Sequence, residues 1–235
     1  MSKALWFRQI CLRNGFEVSD SQISLIERYV DYLLDWNQNL NLISRKDEEN
    51  IWSRHILGSI GFLFRHEFEK GSRIVDVGSG GGLPGIPLAI LLPGVNVLMV
   101  DSIHKKVNAV QDILQKLELP NASIVVGRAE DLSGTGSYRG KFNNVIARAV
   151  APIADLLKWT SPFLIRESSP DWKPDSRLLP GGSVVLLKGG DLSDEIANAR
   201  LKARPHAIHE APIVIDGIDT YGGDLQEKKL IIILP

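Results

Sequence analysis

Residues 74–87 read Ile-Val-Asp-Val-Gly-Ser-Gly-Gly-Gly-Leu-Pro-Gly-Ile-Pro, and this stretch decides the fold of the chain. A short β-branched run carries Asp76 at its end, breaks into a glycine cluster and leads into an apolar stretch, Ile86 to Leu92. Strand, glycine turn and helix in this order predict a site where a cofactor lies against bare backbone amides at a helix N-terminus. Pro84 suits the start of that helix, because its missing N–H would have no helical partner there.

The glycine cluster is compatible with two classes of cofactor. Residues 80–85 satisfy the dinucleotide pattern G-x-G-x-x-G, with Asp101 as the acid that would bind a ribose. Two carboxylates favour S-adenosylmethionine (SAM) instead. Asp76 lies in the strand end, where it can orient the amino-acid end of SAM, and Asp101 ends a second apolar strand, where it offers acceptors to the ribose hydroxyls. A third interpretation needs no ligand: Asp76 caps a turn, and the glycines only make that turn tight.

The composition is that of a globular chain. Of its 235 residues, 44% are hydrophobic and 23% are charged, so we expect a sizeable core in one domain with an extension. No apolar run is long enough for a transmembrane helix, and residues 5–10 are interrupted by charge too early for a secretory signal. The single cysteine, Cys11, excludes an internal disulfide and predicts a cytoplasmic location.

The net charge of −1, from 27 basic and 28 acidic side chains, is not that of a general nucleic-acid binder. An RNA partner would therefore need a local basic patch. The candidates are Arg54 with His55, Arg65 with His66, His104 to Lys106, and Arg139 with Lys141. Each of these groups also has the simpler interpretation of a solvated surface.

The first 65–70 residues show helical spacing. Apolar positions predict a helix over residues 20–38, capped by Ser19 or Asp20. Ser44 followed by Asp47 resembles a capping box, which predicts a second helix with an apolar stripe. The members of that stripe are Trp52, Ile56, Ile60 and Leu63. We therefore expect a helical extension over residues 1–70.

After residue 70, strand and helix patterns alternate, which predicts an α/β domain over residues 71–235 with a mainly parallel sheet. The predicted strands are 73–77, 95–101, 123–127, 142–147, 183–188, 212–216 and 228–234. The predicted helices are 84–92, 104–118, 152–164 and 191–204. The last strand is continuously apolar, as in a strand buried on both faces. Residues 166–180 contain three prolines and predict a surface loop.

Several linked motifs accompany the glycine stretch in a fixed order. They are Trp36-Asn37 with Asn41-Leu42, Arg54-His55-Ile56-Leu57, Asp76 to Pro87, Asp101-Ser102, Gly127-Arg128-Ala129-Glu130, Ala147 to Ala151, and Leu187-Lys188-Gly189. From about residue 30 to the last strand, this chain resembles the RsmG (GidB) family of bacterial methyltransferases. That family modifies a guanine N7 in small-subunit ribosomal RNA. The chain departs from the family pattern at Gly58, where an acidic residue is usual.

The resemblance implies a Rossmann-like SAM-dependent methyltransferase fold, mostly parallel with an antiparallel last strand, and a helical N-terminal extension. It implies SAM as cofactor, and small-subunit ribosomal RNA or the 30S subunit as partner of what we expect to be a monomer. The candidate cofactor-binding residues are Asp76, Gly78, Gly80, Leu83, Asp101, Ser102, Ala129, Glu130 and Arg148. The candidate catalytic residues are Arg148 and Lys188, and the candidate substrate-binding residues are Arg54, His55 and Lys188. We expect no metal.

The chemistry of guanine N7 agrees with this set. N7 carries a free lone pair on the major-groove edge, so no proton has to leave before methyl transfer, and the enzyme needs positioning rather than a general base. Arg148 and Lys188 follow the fourth and fifth predicted strands, at the edge where ligands of such sheets bind. As cations they should hold guanine O6, a phosphate or the cofactor's carboxylate rather than face the sulfonium. Two other functions stay open: a nicotinamide-dependent oxidoreductase, and a non-catalytic SAM- or RNA-binding assembly factor.

Overall fold

The computed structural model describes residues 1–148, 150–166, 172–218, 225 and 227–235. Two helices begin the chain, α1 (Lys3–Arg13) and α2 (Asp20–Asn37). Ser19 caps α2 in a reciprocal capping box with Gln22, which confirms the helix predicted there. The Tyr29 hydroxyl donates to the carbonyl oxygen of Gly81 over 2.9 Å, so α2 holds the glycine loop from below.

The second predicted helix is not one continuous α-helix. It consists of a 3₁₀ turn (Arg45–Asn50), a π-helix (Ile51–Leu57), a short helix α3 (Gly58–Ile60) and a second 3₁₀ turn (Gly61–Phe64). The expected capping box is wrong, because Ser44 makes no capping bond and the Asp47 carboxylate binds Arg54 instead. The predicted apolar stripe is nevertheless buried. The helix type changes where glycines lower helix propensity.

After residue 70, the described residues contain one seven-stranded sheet in the order β3-β2-β1-β4-β5-β7-β6. The strands are β1 (Arg73–Val77), β2 (Asn96–Asp101), β3 (Ala122–Val126), β4 (Asn144–Arg148), β5 (Ser183–Gly189), β6 (Ala207–Pro212) and β7 (Lys228–Leu234). The first five are parallel, and β7 is antiparallel to both β5 and β6. This confirms the expected fold class, including the antiparallel last strand.

The flanking helices are α4 (Gly85–Leu91), α5 (His104–Leu117), α6 (Ala129–Leu132), α7 (Ile153–Thr160) and α8 (Ser193–Lys202), and a 3₁₀ turn (Ser161–Phe163) follows α7. The four helices predicted after residue 70 correspond to α4, α5, α7 with its 3₁₀ turn, and α8. Among the described residues, no helix is both long and apolar enough to cross a membrane. Part of the loop expected at 166–180, residues 167–171, lies outside the described residues.

The strand predicted at 212–216 is wrong, because the strand lies earlier, at Ala207–Pro212. The β-branched run that suggested it packs against the N-terminal segment instead. A Cβ atom added to Gly61 would lie 2.7 Å from Ile215 Cδ1 and 3.2 Å from Ile213 Cγ2. β-Branched residues suit a buried surface as well as a strand, so the local pattern does not separate the two.

Two apolar clusters cover the faces of the sheet. One includes the N-terminal helices and α4 and α5, and the other includes α7 and part of α8. The order of the strands reverses between β1 and β4, both of which run parallel with their carboxyl ends at one edge. In such sheets, ligands bind in the crevice at this edge.

Candidate active site

A cleft of about 430 Å³ opens at the carboxyl ends of β1, β2 and β4. Of the nine candidate cofactor-binding residues, the cleft is lined by Gly78, Asp101, Ser102, Ala129, Glu130 and Arg148. The other three, Asp76, Gly80 and Leu83, are not among the lining residues; Asp76 is fully buried and Leu83 is 3% exposed. The fold therefore brings most of the predicted set to one place. Ala149, within one of the family motifs, lies outside the described residues.

The glycine loop presents fewer bare amides than its sequence predicts, because three of its four glycine N–H groups are already hydrogen-bonded. The N–H of Gly78 donates to Val100 O over 2.8 Å, that of Gly80 to Asp101 Oδ2 over 2.9 Å, and that of Gly82 to Ser79 O over 2.8 Å. Because these donors are already engaged, the loop shapes the floor of the cleft rather than forming an anion cradle. Gly78 has a φ of +70°, and an added Cβ would lie 2.6 Å from Val150 Cγ2.

Asp101 is tied to the backbone through both carboxylate oxygens. Oδ2 accepts the N–H of Gly80, and Oδ1 accepts the N–H of Ile103, each over 2.9 Å. An ionised carboxylate has about four acceptor positions, so each oxygen keeps capacity for one more donor. The backbone thus fixes the Asp101 carboxylate at the cleft, where it can accept from hydroxyl groups.

Asp76 lies beneath the loop and is fully buried. Its Oδ2 accepts the N–H of Gly85 over 2.9 Å, and Oδ1 has no hydrogen-bond partner among the described residues. Burial raises the pKa of Asp76 to about 7, against the opposing effects of the Gly85 N–H and the Arg148 charge. A buried acceptor without a donor is costly, which marks Oδ1 as a position that a bound donor would stabilise.

The cleft also contains residues that were not among the nine candidates for cofactor binding. They are Val77, Val100, Ile103, Lys106, Gly127, Arg128, Val150 and Trp159. Ile103 is 48% exposed and Val150 is 39% exposed, unusual values for aliphatic side chains beside a site. The position of Ile103 just after Asp101-Ser102 could have revealed it, whereas Trp159 comes from α7 and has no local signal.

A second cleft, of about 330 Å³, contains all three candidate substrate-binding residues, Arg54, His55 and Lys188. Its remaining lining residues are Asp47, Gly58, Arg148, Leu187, Gly189, Leu225 and Lys228. Among these lining residues, four carry a positive side chain and one carries a negative side chain, so the cleft is basic. The near-neutral chain therefore does concentrate positive charge locally. Lys228 was not predicted, because it adjoins the site only through the antiparallel pairing of β7 with β5.

Arg148 lines both clefts and separates them. Its Nη2 lies 2.9 Å from Nδ1 of His55, and its Nη1 donates to Arg54 O over 3.5 Å. The Nε2 atom of His55 lies 3.4 Å from Asp47 Oδ2, without the geometry of a hydrogen bond. Burial, followed by the neighbouring Arg148 charge, lowers the pKa of His55 to about 4, so the imidazole is neutral near pH 7.

Lys188 is held by protein partners. Its Nζ donates to Glu195 Oε1 over 2.6 Å and to Ala151 O over 3.0 Å, and its side chain is 13% exposed. The ammonium therefore lies in the wall of the second cleft with its charge balanced by Glu195. Of the other basic groups considered, His66 has its Nδ1 3.3 Å from Ser176 O, and Lys106 lines the first cleft.

Comparison with known proteins agrees with this architecture. The family described as rRNA small subunit methyltransferase G (GidB) matches residues 22–215. The ribosomal RNA small subunit methyltransferase G of Chlorobium limicola is 36% identical over 226 residues, which cover 95% of this chain and 93% of the relative. That of Chlorobium luteolum is 34% identical over 223 residues, which cover 95% of this chain and 86% of the relative.

Solved structures show the same fold at low sequence identity. A variant of MtNAS in complex with S-adenosylmethionine matches with a TM-score of 0.52 at 11% identity, covering 99% of this chain and 78% of that one. The matches to the family and to its curated members extend over most of the sequence. The chain belongs to the GidB family of small-subunit ribosomal RNA methyltransferases.

Proposed function

We propose that this protein transfers the methyl group of SAM to N7 of a guanine in small-subunit ribosomal RNA. Membership of the GidB family supports the reaction class, and the resemblance of the motifs supports the target atom. One observation of the structure carries the proposal: Arg148 forms the wall between a carboxylate-bearing cleft and a basic cleft. Methyl transfer needs donor and acceptor in adjoining spaces with a fixed approach, which two clefts with a common wall provide.

The first cleft fits SAM by its chemistry. The fixed carboxylate of Asp101 can accept from ribose hydroxyls, Glu130 can accept from an adenine amino group, and the exposed aliphatic side chains of Ile103 and Val150 suit a heterocycle. The unpartnered Oδ1 of Asp76, beneath the loop, suits an ammonium group acting through a bridging donor. When bound, SAM supplies an electrophilic methyl group on a sulfonium.

The second cleft fits an RNA nucleotide. Its cationic side chains can bind phosphate, and the Arg148 guanidinium can donate to guanine O6. A bidentate grip on O6 and N7 is excluded, because it would occupy the lone pair that attacks the methyl group. No base has to remove a proton from N7, which agrees with a neutral, buried His55. The residues of this cleft act by orienting the nucleotide.

The preferred form of the RNA substrate follows from the net charge of the protein. With a net charge of −1, the surface can neutralise few phosphates, so we propose the 30S subunit rather than naked RNA as the preferred substrate. We propose that a monomer acts on this substrate in the cytoplasm, where ribosomal RNA is located. We retain residues 1–70 as a helical extension and 71–235 as the methyltransferase domain.

The decisive experiment uses 30S subunits from cells that lack this protein. Incubation with the purified protein and SAM should add one methyl group to one guanine, identified at N7 by mass spectrometry of ribosomal RNA fragments. Methylation at another atom would contradict the target. Binding of SAM and subunits without methyl transfer would indicate an assembly factor, and tight NAD binding in calorimetry would favour the oxidoreductase.

A further inference from the structure

We propose that Asp47 and His55 are positioning residues that hold the Arg148 guanidinium in the wall between the two clefts. The effect on catalysis rests on the proposed function, whereas the arrangement itself can be tested without it. His55 was expected to contact the substrate, and Asp47 was expected to start a helix. The geometry assigns both residues a different task.

The hydrogen bond between Arg148 and His55 fixes the state of the imidazole. A guanidinium has five N–H donors and no acceptor, so Nδ1 of His55 must accept the bond from Arg148 Nη2 at 2.9 Å. Nδ1 therefore carries no proton, and the neutral ring carries its proton on Nε2. Oδ2 of Asp47 lies 3.4 Å from Nε2, close enough for attraction although the pair is not aligned as a hydrogen bond. The Asp47 carboxylate, the His55 imidazole and the Arg148 guanidinium therefore form a row, in which each group is next to the following one.

The neutral state of His55 is the net result of burial and of the three charges around the ring. Arg148 faces it from β4, Asp47 faces it from the 3₁₀ turn, and Arg54 belongs to its own π-helix. Burial and the two arginines lower the pKa of His55, while Asp47 opposes them, and the outcome is a pKa of about 4. Near neutral pH the ring therefore remains an acceptor for Arg148. π-Helical turns are rare and are often found at functional sites.

Arg148 needs such a partner because its other described contact in this region is weak. The bond from Nη1 to Arg54 O is 3.5 Å long, at the limit of a hydrogen bond. A long arginine side chain loses rotamer entropy when it is fixed, so one well-aligned acceptor matters. Asp47 in turn accepts from Arg54 Nη1 over 2.5 Å, which anchors the row at its outer end.

Nuclear magnetic resonance tests the arrangement directly in the wild-type protein. A long-range proton–nitrogen correlation spectrum of nitrogen-labelled histidines should show His55 as the neutral Nε2–H form from pH 7 down to about pH 5. His55→Asn identifies its signal, and His206→Asn, on an exposed residue, is the control for the assignment. Arg148→Met should shift the tautomer balance of His55. An Nδ1–H form, or a charged ring at pH 7, would overturn the proposal whether or not the protein methylates RNA.

A double-mutant cycle tests the role of the row in catalysis. His55→Leu should lower the single-turnover rate about tenfold or more, and His55→Asn should recover part of it, because its amide oxygen can replace the Nδ1 acceptor. In an Arg148→Met background, His55→Leu should change the rate less than about twofold. Asp47→Asn should also lower the single-turnover rate, by less than His55→Leu does, and this loss should likewise shrink in the Arg148→Met background. Equal losses in both backgrounds would mean that His55 acts independently of Arg148, and would overturn the proposal.

SAM affinity can be measured in the four proteins of the cycle, which are the wild type, His55→Leu, Arg148→Met and the double variant. It should respond because Arg148 also lines the first cleft. In calorimetry, His55→Leu should weaken SAM binding in the wild-type background and have a smaller effect in the Arg148→Met background, as for the rate. If wild-type protein binds SAM but methylates no RNA, the proposed function fails, and the tautomer measurement still decides the inference.

Discussion

The ammonium of Lys188 and the backbone N–H of Ile153 share one acceptor, Oε1 of Glu195, at 2.6 Å and 2.7 Å. Lys188 also donates to Ala151 O. These bonds join the end of β5, the start of α8 and the start of α7. They hold Ala151 and the start of α7 in place, and Val150, next to Ala151, lies against Gly78 in the first cleft. Lys188 thus contributes to the shape of the cofactor cleft from the far side of Arg148.

We expect Lys188→Met and Glu195→Met to have similar effects. Each leaves a mostly buried polar group without its partner, which should destabilise the fold by about 1–3 kcal/mol in chemical denaturation. Each should also lower methylation, because the connection after β4 is released. Lys229→Met is the matched control: its pair with Glu210 is more exposed, and we expect a loss of no more than about 1 kcal/mol. A loss of RNA affinity in Lys188→Met alone would support the original assignment of Lys188 to the substrate.

Gly78→Ala should weaken SAM binding by at least about tenfold, or ~1.4 kcal/mol. The φ of +70° is unfavourable for a residue with a Cβ, and the new atom would displace Val150 at the cleft. An added Cβ at Gly78 therefore meets Val150 before it reaches the open space of the cleft. Calorimetry with SAM and S-adenosylhomocysteine measures the effect.

Two variants separate strain from displacement at Gly78. Gly15 has a φ of +74° and open space around an added Cβ, so Gly15→Ala should cost stability and leave SAM affinity unchanged. Val150→Ala combined with Gly78→Ala should recover part of the affinity. Undiminished SAM binding in Gly78→Ala would remove this glycine from the site.

Asp76→Asn should stabilise the cofactor-free protein at pH 8. Burial raises the pKa of Asp76 from 3.8 to about 7, so the folded state holds this proton more tightly than the unfolded state. The protonated Asp76 carboxyl stabilises the folded state fully below the unfolded pKa of 3.8, and this stabilisation is lost as the pH rises through the folded pKa of about 7. The difference in unfolding free energy between Asp76→Asn and the wild type should therefore grow between about pH 4 and 7 and stay constant above pH 7, approaching roughly 4 kcal/mol at most. Parallel denaturation profiles for the two proteins would contradict this.

Single-turnover methyl transfer at saturating SAM and substrate should be nearly independent of pH from about 6.5 to 8.5. Guanine N7 needs no base, and His55, with a pKa of about 4, does not titrate in this window. Asp76, with a pKa of about 7, does titrate there, but its effect falls on SAM binding, which saturating SAM removes from the rate. Quenched-flow measurements across the window provide the check. A rate that rises with a midpoint near neutral pH and loses that rise in His55→Gln would place a titrating His55 in the reaction.

Lys228→Ala should weaken subunit binding and lower the salt dependence of the affinity. If Lys228 contacts one phosphate, the slope of log affinity against log salt should fall by about 0.7. Lys202→Ala, on the exposed side of α8, is the control and should leave the slope unchanged. Equal slopes for wild type and Lys228→Ala would exclude a phosphate contact.

Much of the fold was predictable from local pattern. The run from Ile74 through the glycines to Leu92 specifies β1, its turn and α4, because strand periodicity, glycine and proline each act within a few residues. Asp101 was found in the same way, as the end of an apolar strand. Since parallel strands end at one edge, the positions of Asp101 and Arg148 in the cleft followed from the strand assignments, whereas Glu130 was identified only through the family resemblance.

Pairing between distant segments was decided by the tertiary structure. Arg148 meets His55 across 93 positions of the chain, and no periodicity encodes that contact. Three glycine N–H donors of the loop were taken by Asp101 and by other backbone groups, since a buried N–H must find a partner wherever the fold supplies one. Likewise, the sequence predicts Lys188 as an unpaired cation at a strand end. Its ion pair with Glu195 forms only because α8 packs beside the end of β5. Local sequence determined which segments form the sheet and where its ligand edge lies, whereas the assembled packing determined which polar groups at that edge remain available, because burial and pairing depend on neighbours far away in the chain.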